Sequence, residues 1–585
     1  MSAAATILLA ACGGDDSDRS GVSADQSGEG RPDAPMPADT VTVASTIEVD
    51  EHRARRCTGA FTSLDLDHVT QPRGAVMAMV DGTGAGVLLD DLDDDGRLDI
   101  VLPNLSGETS IFWNETEPDG DIEFERGVLD TGRFRQAIAA DVDGDGDRDV
   151  LLTTGIGPPI AYLSQAESGD VRSFRRTEYR TRVVAFSVAP GDLDGDGSIE
   201  VVTGSYNAEL TQNRDPRVLN GVDIGVAVTR PTADTLATGV DTEFLTESAQ
   251  ALATMIVDLD GDGLDDVVVG NDLGTPDRIW LGDPRGLTVT ELFDVTSLST
   301  MSLDVVDIDH DGTRDLVSTD MKPMDGESRD AWAPIEDDIE AARVDQIQQP
   351  RNVVQLGDGS RWNEVGVELG VDATSWSWSG LFGDLDDDGL ADLYVVNGMQ
   401  AVGVFDTLPD AELVAANQAF RNTGDTIEPR PDWGLAATDG GRGMAQGDLD
   451  GDGDLDVVVN DLGAPSTVFV NGLCGADGDT MHTSVIVEPI WSSTQNLEAL
   501  ATEVRVDDGD VVRAVPITGA RGYISTSASQ AHVGLGPSGD AGPVTVTVRW
   551  PDGAVTVLDD VEPGTTTRVE RTEPAVTAAT DRSAP

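Results

Sequence analysis

Lysine is almost missing from this chain: Lys322 is the only one among 585 residues, and 36 arginines face 108 acidic side chains. The resulting formal net charge of −71 excludes a nucleic-acid binder, because contact with phosphates requires basic side chains to neutralise them. Long apolar runs are missing as well, and no stretch approaches the ~20 residues of a membrane-spanning helix. Histidine is scarce. His52, His68, His310, His482 and His532 are scattered, and no HExxH, GxSxG or P-loop pattern occurs. DGTGAG at Asp81 is glycine-rich but leads into a strand, which argues against a phosphate cradle. With only 4% aromatic residues and 65 glycines, the composition is that of strands and turns.

Aspartate is what the chain has in abundance. DLDDDGRLD begins at Asp91 and is echoed by DVDGDGDRD, DLDGDGSIE, DLDGDGLDD, DIDHDGTRD, DLDDDGLAD and DLDGDGDLD. Each places acids at positions 1, 3, 5 and 9 and glycine at 6. The sets are Asp91, Asp93, Asp95 and Asp99; Asp141, Asp143, Asp145 and Asp149; Asp192, Asp194, Asp196 and Glu200; Asp258, Asp260, Asp262 and Asp266. They continue with Asp307, Asp309, Asp311 and Asp315; Asp384, Asp386, Asp388 and Asp392; and Asp448, Asp450, Asp452 and Asp456. Carboxylates at 1, 3 and 5 with a sharp turn at 6 make a hard-cation cage. A turn alone needs glycine but none of this side-chain chemistry. The expected cofactor is therefore Ca²⁺, at up to seven sites. Position 12 of the first loop is Leu102 rather than the glutamate of a helix-loop-helix calcium site, and AGVLL and DIVLP flank it, so the loop joins two strands. His310, at position 4 of the fifth loop, is expected to face solvent. The loops hold 28 of the 108 acids; the remainder reads as a solvated acidic surface.

Successive loops start 49 to 77 residues apart, and a spacing near fifty recurs. Self-similarity on that scale marks an array, and fifty residues suit a four-stranded propeller blade. The expected fold is all-β: a seven-bladed β-propeller over residues 58–475 with calcium-binding hairpin loops. Beyond Gly475 the acidic loops stop and alternating runs such as SVIVEPI and VTVTVRW predict a small, separate β-sandwich-like domain over 480–571.

These segments resemble a known family. The acidic loops are similar to the FG-GAP and VCBS repeats of integrin-like propellers. Arg351-Asn352, the Trp376-Ser377-Trp378 triplet, Asp392-Leu393-Tyr394-Val395, NQAFRNTGD at Asn417 and DVVVNDLGAPSTVFVNG at Asp456 resemble the cartilage-acidic-protein-like bacterial proteins. NLEALATEVRV, GYISTSASQAHVGLG and VRWPDGAV resemble the ASPIC/UnbV module that follows such propellers; Leu500 and Ala501 replace its usual glycine-containing turn. Together the resemblances cover most of residues 58–571. They imply calcium in the blade hairpins and supply no catalytic signature.

At the N-terminus, Leu9-Ala10-Ala11-Cys12 resembles a bacterial lipobox, although no basic residue precedes the apolar run. It implies a signal peptide over 1–11, lipid on Cys12, a disordered acidic tether over 12–57 and an extracytoplasmic, membrane-anchored or secreted protein. The tail, 572–585, is expected to be disordered. Cys57 and Cys474 then remain, one at each end of the propeller. Ring closure brings those ends together, which predicts a disulfide.

Two functional classes follow. One is a non-enzymatic interaction or adhesion protein that contacts a protein or glycan at the cell surface. The other is an enzyme, a hydrolase or lyase on a glycan-type substrate, with its site in the axial depression. Trp376 and Trp378, two apart on a strand, are expected in the core, with sugar stacking as the alternative. The insertion PIEDDIEAARVDQIQQP, from Pro334, predicts a helix over one propeller face.

Overall fold

The computed structural model describes residues 41–72, 80–117, 120–166, 171–209, 222–324, 332, 347–359, 361–402, 404–475 and 480–575. Cys12, the signal segment, most of the tether and most of the expected insertion helix lie outside the described residues.

Each acidic loop joins an inner strand to a second strand that opens on the position-9 acid, as in Asp99–Leu102, Asp149–Leu152 and Asp456–Asp461. These second strands are continuous β-branched and leucine runs, buried throughout. They show no polar alternation because neighbouring blades cover both faces of each sheet. Among the described residues, seven antiparallel sheets follow this plan. Their inner strands are Leu88–Asp90, Ala137–Ala140, Ser187–Gly191, Ala251–Val257, Ser302–Val306, Ser375–Gly383 and Gly441–Gly447. Each touches the next, and the last touches the first, so the sheets form a closed propeller. The seventh sheet is completed by Thr62–Val69, paired antiparallel to Pro465–Val470. A strand from the chain's beginning thus closes a blade from its end, and the Cys57–Cys474 disulfide lies beside that seam, with Cα atoms 5.4 Å apart.

The C-terminal region forms two four-stranded sheets. One holds His482–Ile490, Ala531–Pro537 and Thr565–Glu570, the other Glu503–Asp507, Val512–Pro516, Val544–Arg549 and Val555–Val561. Val485, Val487, Val504, Val506, Val546, Val548, Trp491 and Trp550 fill one core between them.

Two expectations change here. The tether does not extend to residue 57: Thr46–Glu51 is a strand paired with Thr565–Glu570, giving that sheet its fourth member. A strand edge left open by the C-terminal segment is covered by an N-terminal one. Nor is the C-terminal region a detached unit. Its core continues into Ile138, Val142, Leu151 and Val201 of the second and third blades. Its Gly519–Thr526 turn also enters the propeller axis: Leu303 accepts from Gly522 N–H at 2.7 Å and Thr526 donates to Val87 at 2.8 Å. Tyr523 is fully buried there, 5.1 Å from the Trp378 ring centroid. Gly86 is required at this point, since a Cβ on it would lie 1.7 Å from the Ile524 carbonyl oxygen.

Truncating the axial ring in Tyr523→Ala is expected to cost about 3–5 kcal/mol, the range for large-to-small changes in a packed core. The Cys57→Ser/Cys474→Ser double variant is expected to lose about 2–5 kcal/mol by release of the ring closure. Chemical denaturation of the oxidised full chain against each variant measures both; midpoints unchanged from the parent would remove the corresponding contribution.

Candidate metal centres

Backbone conformation explains the glycine pattern first. Position 6 is glycine in all seven loops, with φ between 82° and 91°. Position 4 is also left-handed: Gly144, Gly195, Gly261 and Gly451 in four loops, and Asp94, His310 and Asp387, at φ 54–58°, in the others. Asp and His are among the few side chains that tolerate this region.

That curvature wraps the loop around position 1. The N–H of the position-6 glycine donates to the position-1 carboxylate in every loop, at 2.8–3.1 Å. Position 9 acts as a staple. One of its oxygens accepts the N–H of position 2 at 2.7–3.1 Å. In six blades its other oxygen accepts an N–H from the end of the third strand, as with Asn114, Ser164 and Asn471 at 2.8 Å. In the third blade the longer Glu200 meets the Arg230 guanidinium instead, at 3.2 Å. The acid therefore ties three strands together while facing the loop interior.

Other oxygens remain without donors. Asp93 Oδ1, Asp143 Oδ1, Asp307 Oδ1, Asp384 Oδ1 and Asp386 Oδ1 are buried and accept no hydrogen bond. Positions 1, 3 and 9 bring ligand atoms within 4.8 Å of one another in the first three loops, and positions 1, 3 and 5 do so in the fourth and fifth. Position 5 is exposed in loops one to five, half-buried at Asp388 and buried at Asp452, where the C-terminal domain overhangs. Burial, reinforced by neighbouring carboxylates, pushes position 1 up to about 6 at Asp91 and Asp141, about 7 at Asp192 and Asp307 and about 8 at Asp448. The same causes raise position 9 to about 8 at Asp99 and Asp315, about 9 at Asp149 and about 7 at Glu200 and Asp266. Such clusters cannot all ionise cheaply without a counter-ion. An all-oxygen, flexible, acid-rich set fits Ca²⁺ better than metals that prefer nitrogen or sulfur.

Residues 91–152, 141–203, 258–318 and 410–459 match FG-GAP-like repeats, and residues 492–576 match the ASPIC and UnbV family. The chain combines FG-GAP-like repeats with an ASPIC and UnbV domain. No curated protein matches it. Among solved structures it is similar to BBS1N in complex with ARL6DN, with 9% identity over 70% of this chain and 96% of that one, and a TM-score of 0.36. The V. cholerae biofilm matrix protein Bap1 shares 13% identity over 86% and 64%, TM-score 0.29. A mutant of AofleA from Arthrobotrys oligospora shares 8% over 71% and 94%, TM-score 0.34.

The ASPIC and UnbV domain docks on the acidic loops themselves. Gly534 N–H donates to Asp384 Oδ2 at 3.0 Å, Gly536 N–H to the Asp387 carbonyl at 2.8 Å, and Asn496 N–H to the Gly197 carbonyl at 3.0 Å. Glu503 pairs with Arg314 at 2.8 Å, and Arg521 grips Asp304 through two nitrogens at 2.7 and 3.1 Å. Sequence reasoning missed these contacts, although Asn496, Glu503, Gly534 and Gly536 lie inside the quoted module motifs. It also missed Asp387, at position 4, which pairs with Arg55 and with His532 Nε2 at 3.1 Å. His310 departs from expectation. It is half-buried, lining an interdomain cavity of about 110 Å³ with Arg513 and Arg521.

On this face the buried Tyr523 and Ile524 fill the axis among the described residues. Trp376 and Trp378 are each 2% exposed and leave no ring face for a sugar; Trp378 donates to the Gly398 carbonyl at 2.7 Å and Trp376 packs on Phe405.

The pKa shifts set the sign of a pH effect. A carboxyl raised above its unfolded value near ~3.9 contributes stability that is complete below that value and lost as pH rises through the folded one. Metal-stripped protein is therefore expected to melt higher at pH 5.5 than at pH 8.5, and the increment from added calcium to be larger at pH 8.5. Melting curves at fixed ionic strength test this, and a calcium increment that grows on acidification would contradict it.

Proposed function

We propose that the chain is an extracytoplasmic calcium-binding interaction protein, in which Ca²⁺ held by the FG-GAP loops stiffens a platform for a protein or glycan at the cell surface. The observation that carries this reading is the recurrence, from loop to loop, of acidic side chains whose ligand oxygens lie within 4.8 Å of one another. Asp, and in one loop Glu, at positions 1, 3, 5 and 9 would hold the ion, with the position-7 carbonyl as a further oxygen. The ion supplies positive charge where carboxylates otherwise repel one another, and position 9 transmits that order to three strands of its blade.

Support for a structural rather than catalytic use of these loops comes from their neighbours. The ASPIC and UnbV domain covers part of them with backbone N–H groups and arginine pairs, so the face that would bind calcium is also an internal joint. A surface partner would then approach the opposite face or the outer blade edges. The lipid anchor at Cys12 would hold this assembly at the membrane, and the charge of −71 suits a hydrated extracytoplasmic surface.

Melting of the full chain in calcium and after metal stripping tests the metal. Each occupied site is expected to add about 2.7 kcal/mol at a hundredfold excess over Kd. Asp448→Ala is expected to lower Tm in calcium and to change it little without; equal losses in both would remove the metal role of that loop. Cys12→Ala is expected to move the protein from the membrane fraction to the soluble one. For the platform, calcium-loaded protein on a glycan array is expected to be retained by a defined glycan class and released on stripping. Retention unaffected by calcium would separate binding from the loops.

A further inference from the structure

The seven loops are alike in sequence but differ in what reaches them. In the first, Arg172 places Nε 2.6 Å from Asp93 Oδ2 and Nη2 3.9 Å from Asp95 Oδ2, spanning positions 3 and 5, while Arg97, at position 7 of the same loop, pairs with Asp95 alone. In the sixth, Arg421 places Nε 2.6 Å from Asp386 Oδ2 and pairs through Nη2 with Asp388, again positions 3 and 5. The two arginines come from different places. Arg172 precedes the fourth strand of the second blade, Phe174–Glu178, and crosses to the neighbouring blade; Arg421 lies on the third strand of its own blade, Gln418–Asn422. Among the described residues, no ion pair joins an arginine to position 3 or 5 of the other five loops.

The Arg172 guanidinium is held from behind. Arg172 lies 5.1 Å from the Trp113 ring centroid and also pairs with Glu115 and Glu125. Arg421 is anchored in a strand whose next residue, Asn422, donates its N–H to the position-9 Asp392 at 2.8 Å. A guanidinium keeps its charge at every accessible pH, and its planar fork matches two carboxylates at once. It thus supplies a fixed positive charge at two of the oxygens a calcium ion would take. Asp93 Oδ1 and Asp386 Oδ1 stay buried without a hydrogen bond, so the capacity to bind a cation is preserved beneath each arginine.

We propose that Arg172 and Arg421 are resident counter-ions that keep calcium out of the first and sixth loops, so that the protein takes five ions rather than seven. The inference rests on the calcium reading above. It makes the first and sixth blades independent of external calcium. The sixth loop is also where Gly534 and Gly536 attach the ASPIC and UnbV domain, so that attachment survives calcium loss.

The test counts metal on the full chain, stripped and then equilibrated with excess Ca²⁺. Five ions per chain are expected for the parent, six for Arg172→Gln and for Arg421→Gln, and seven for the double variant. Seven in the parent, or an unchanged count in folded variants, would overturn the counter-ion role while leaving calcium binding intact; no ions at all would overturn both. Hydrogen exchange on the unmodified protein gives a second readout that needs no variant. On stripping, the amides of Gly146, Gly197, Gly263, Gly312 and Gly453 are expected to exchange at least about tenfold faster, while Gly96 and Gly389 change little. A uniform response across the seven loops would overturn the proposal.

Discussion

Everything in this protein is arranged around the repulsion of like charges gathered in short loops. Four carboxylates within nine residues, several of them buried, cost free energy unless each is given a donor or a cation. The fold supplies the donors it can. Position 1 takes the N–H of the position-6 glycine and position 9 takes that of position 2 and, in most blades, one from the third strand. What these bonds leave over is a set of unpartnered oxygens turned inward, and that remainder makes the loops candidate cation sites rather than turns.

The same economy shapes the joint between the two parts of the chain. A propeller face crowded with carboxylates and carbonyls is a poor surface for an apolar partner, yet the ASPIC and UnbV domain sits on it. It does so with groups suited to such a surface: backbone N–H from Gly534, Gly536 and Asn496, and arginines matched to acids across the seam. Its axial turn is apolar and reaches past the loops into the ring, where Tyr523 meets Trp378, and its core continues into Ile138, Val142, Leu151 and Val201 of two blades. The strand Thr46–Glu51 ties the chain's beginning to the same domain, and Cys57–Cys474 closes the ring a few residues later. Loops, axis and seam therefore form one mechanical unit.

The acidic loops were legible in the primary structure because the chemistry is local. A nine-residue motif carries its own turn, its own ligands and the start of its second strand, and the interval of about fifty residues follows from the length of one blade. The pairing of Cys57 with Cys474 follows from ring closure, which brings the two ends of the propeller together. The tether ends earlier than its acidic composition suggests: TIEVDE alternates Ile47 and Val49 with polar residues, a short strand pattern, but all six residues are exposed and none is held by a core. Its strand exists only because Thr565–Glu570 offers an edge.

By itself the sequence determined the β-blade repeat, the place of every acidic loop and the position of the glycines that let each one turn, since all of these depend on neighbours a few residues apart. The tertiary structure alone decided that the C-terminal domain would enter the axis, that Asp387 would meet Arg55 and His532, and that Arg172 and Arg421 would reach two loops while, among the described residues, the other five have no such pair. Those outcomes join residues tens to hundreds of positions apart. No local pattern records them, because the geometry that brings them together exists only once the ring has closed.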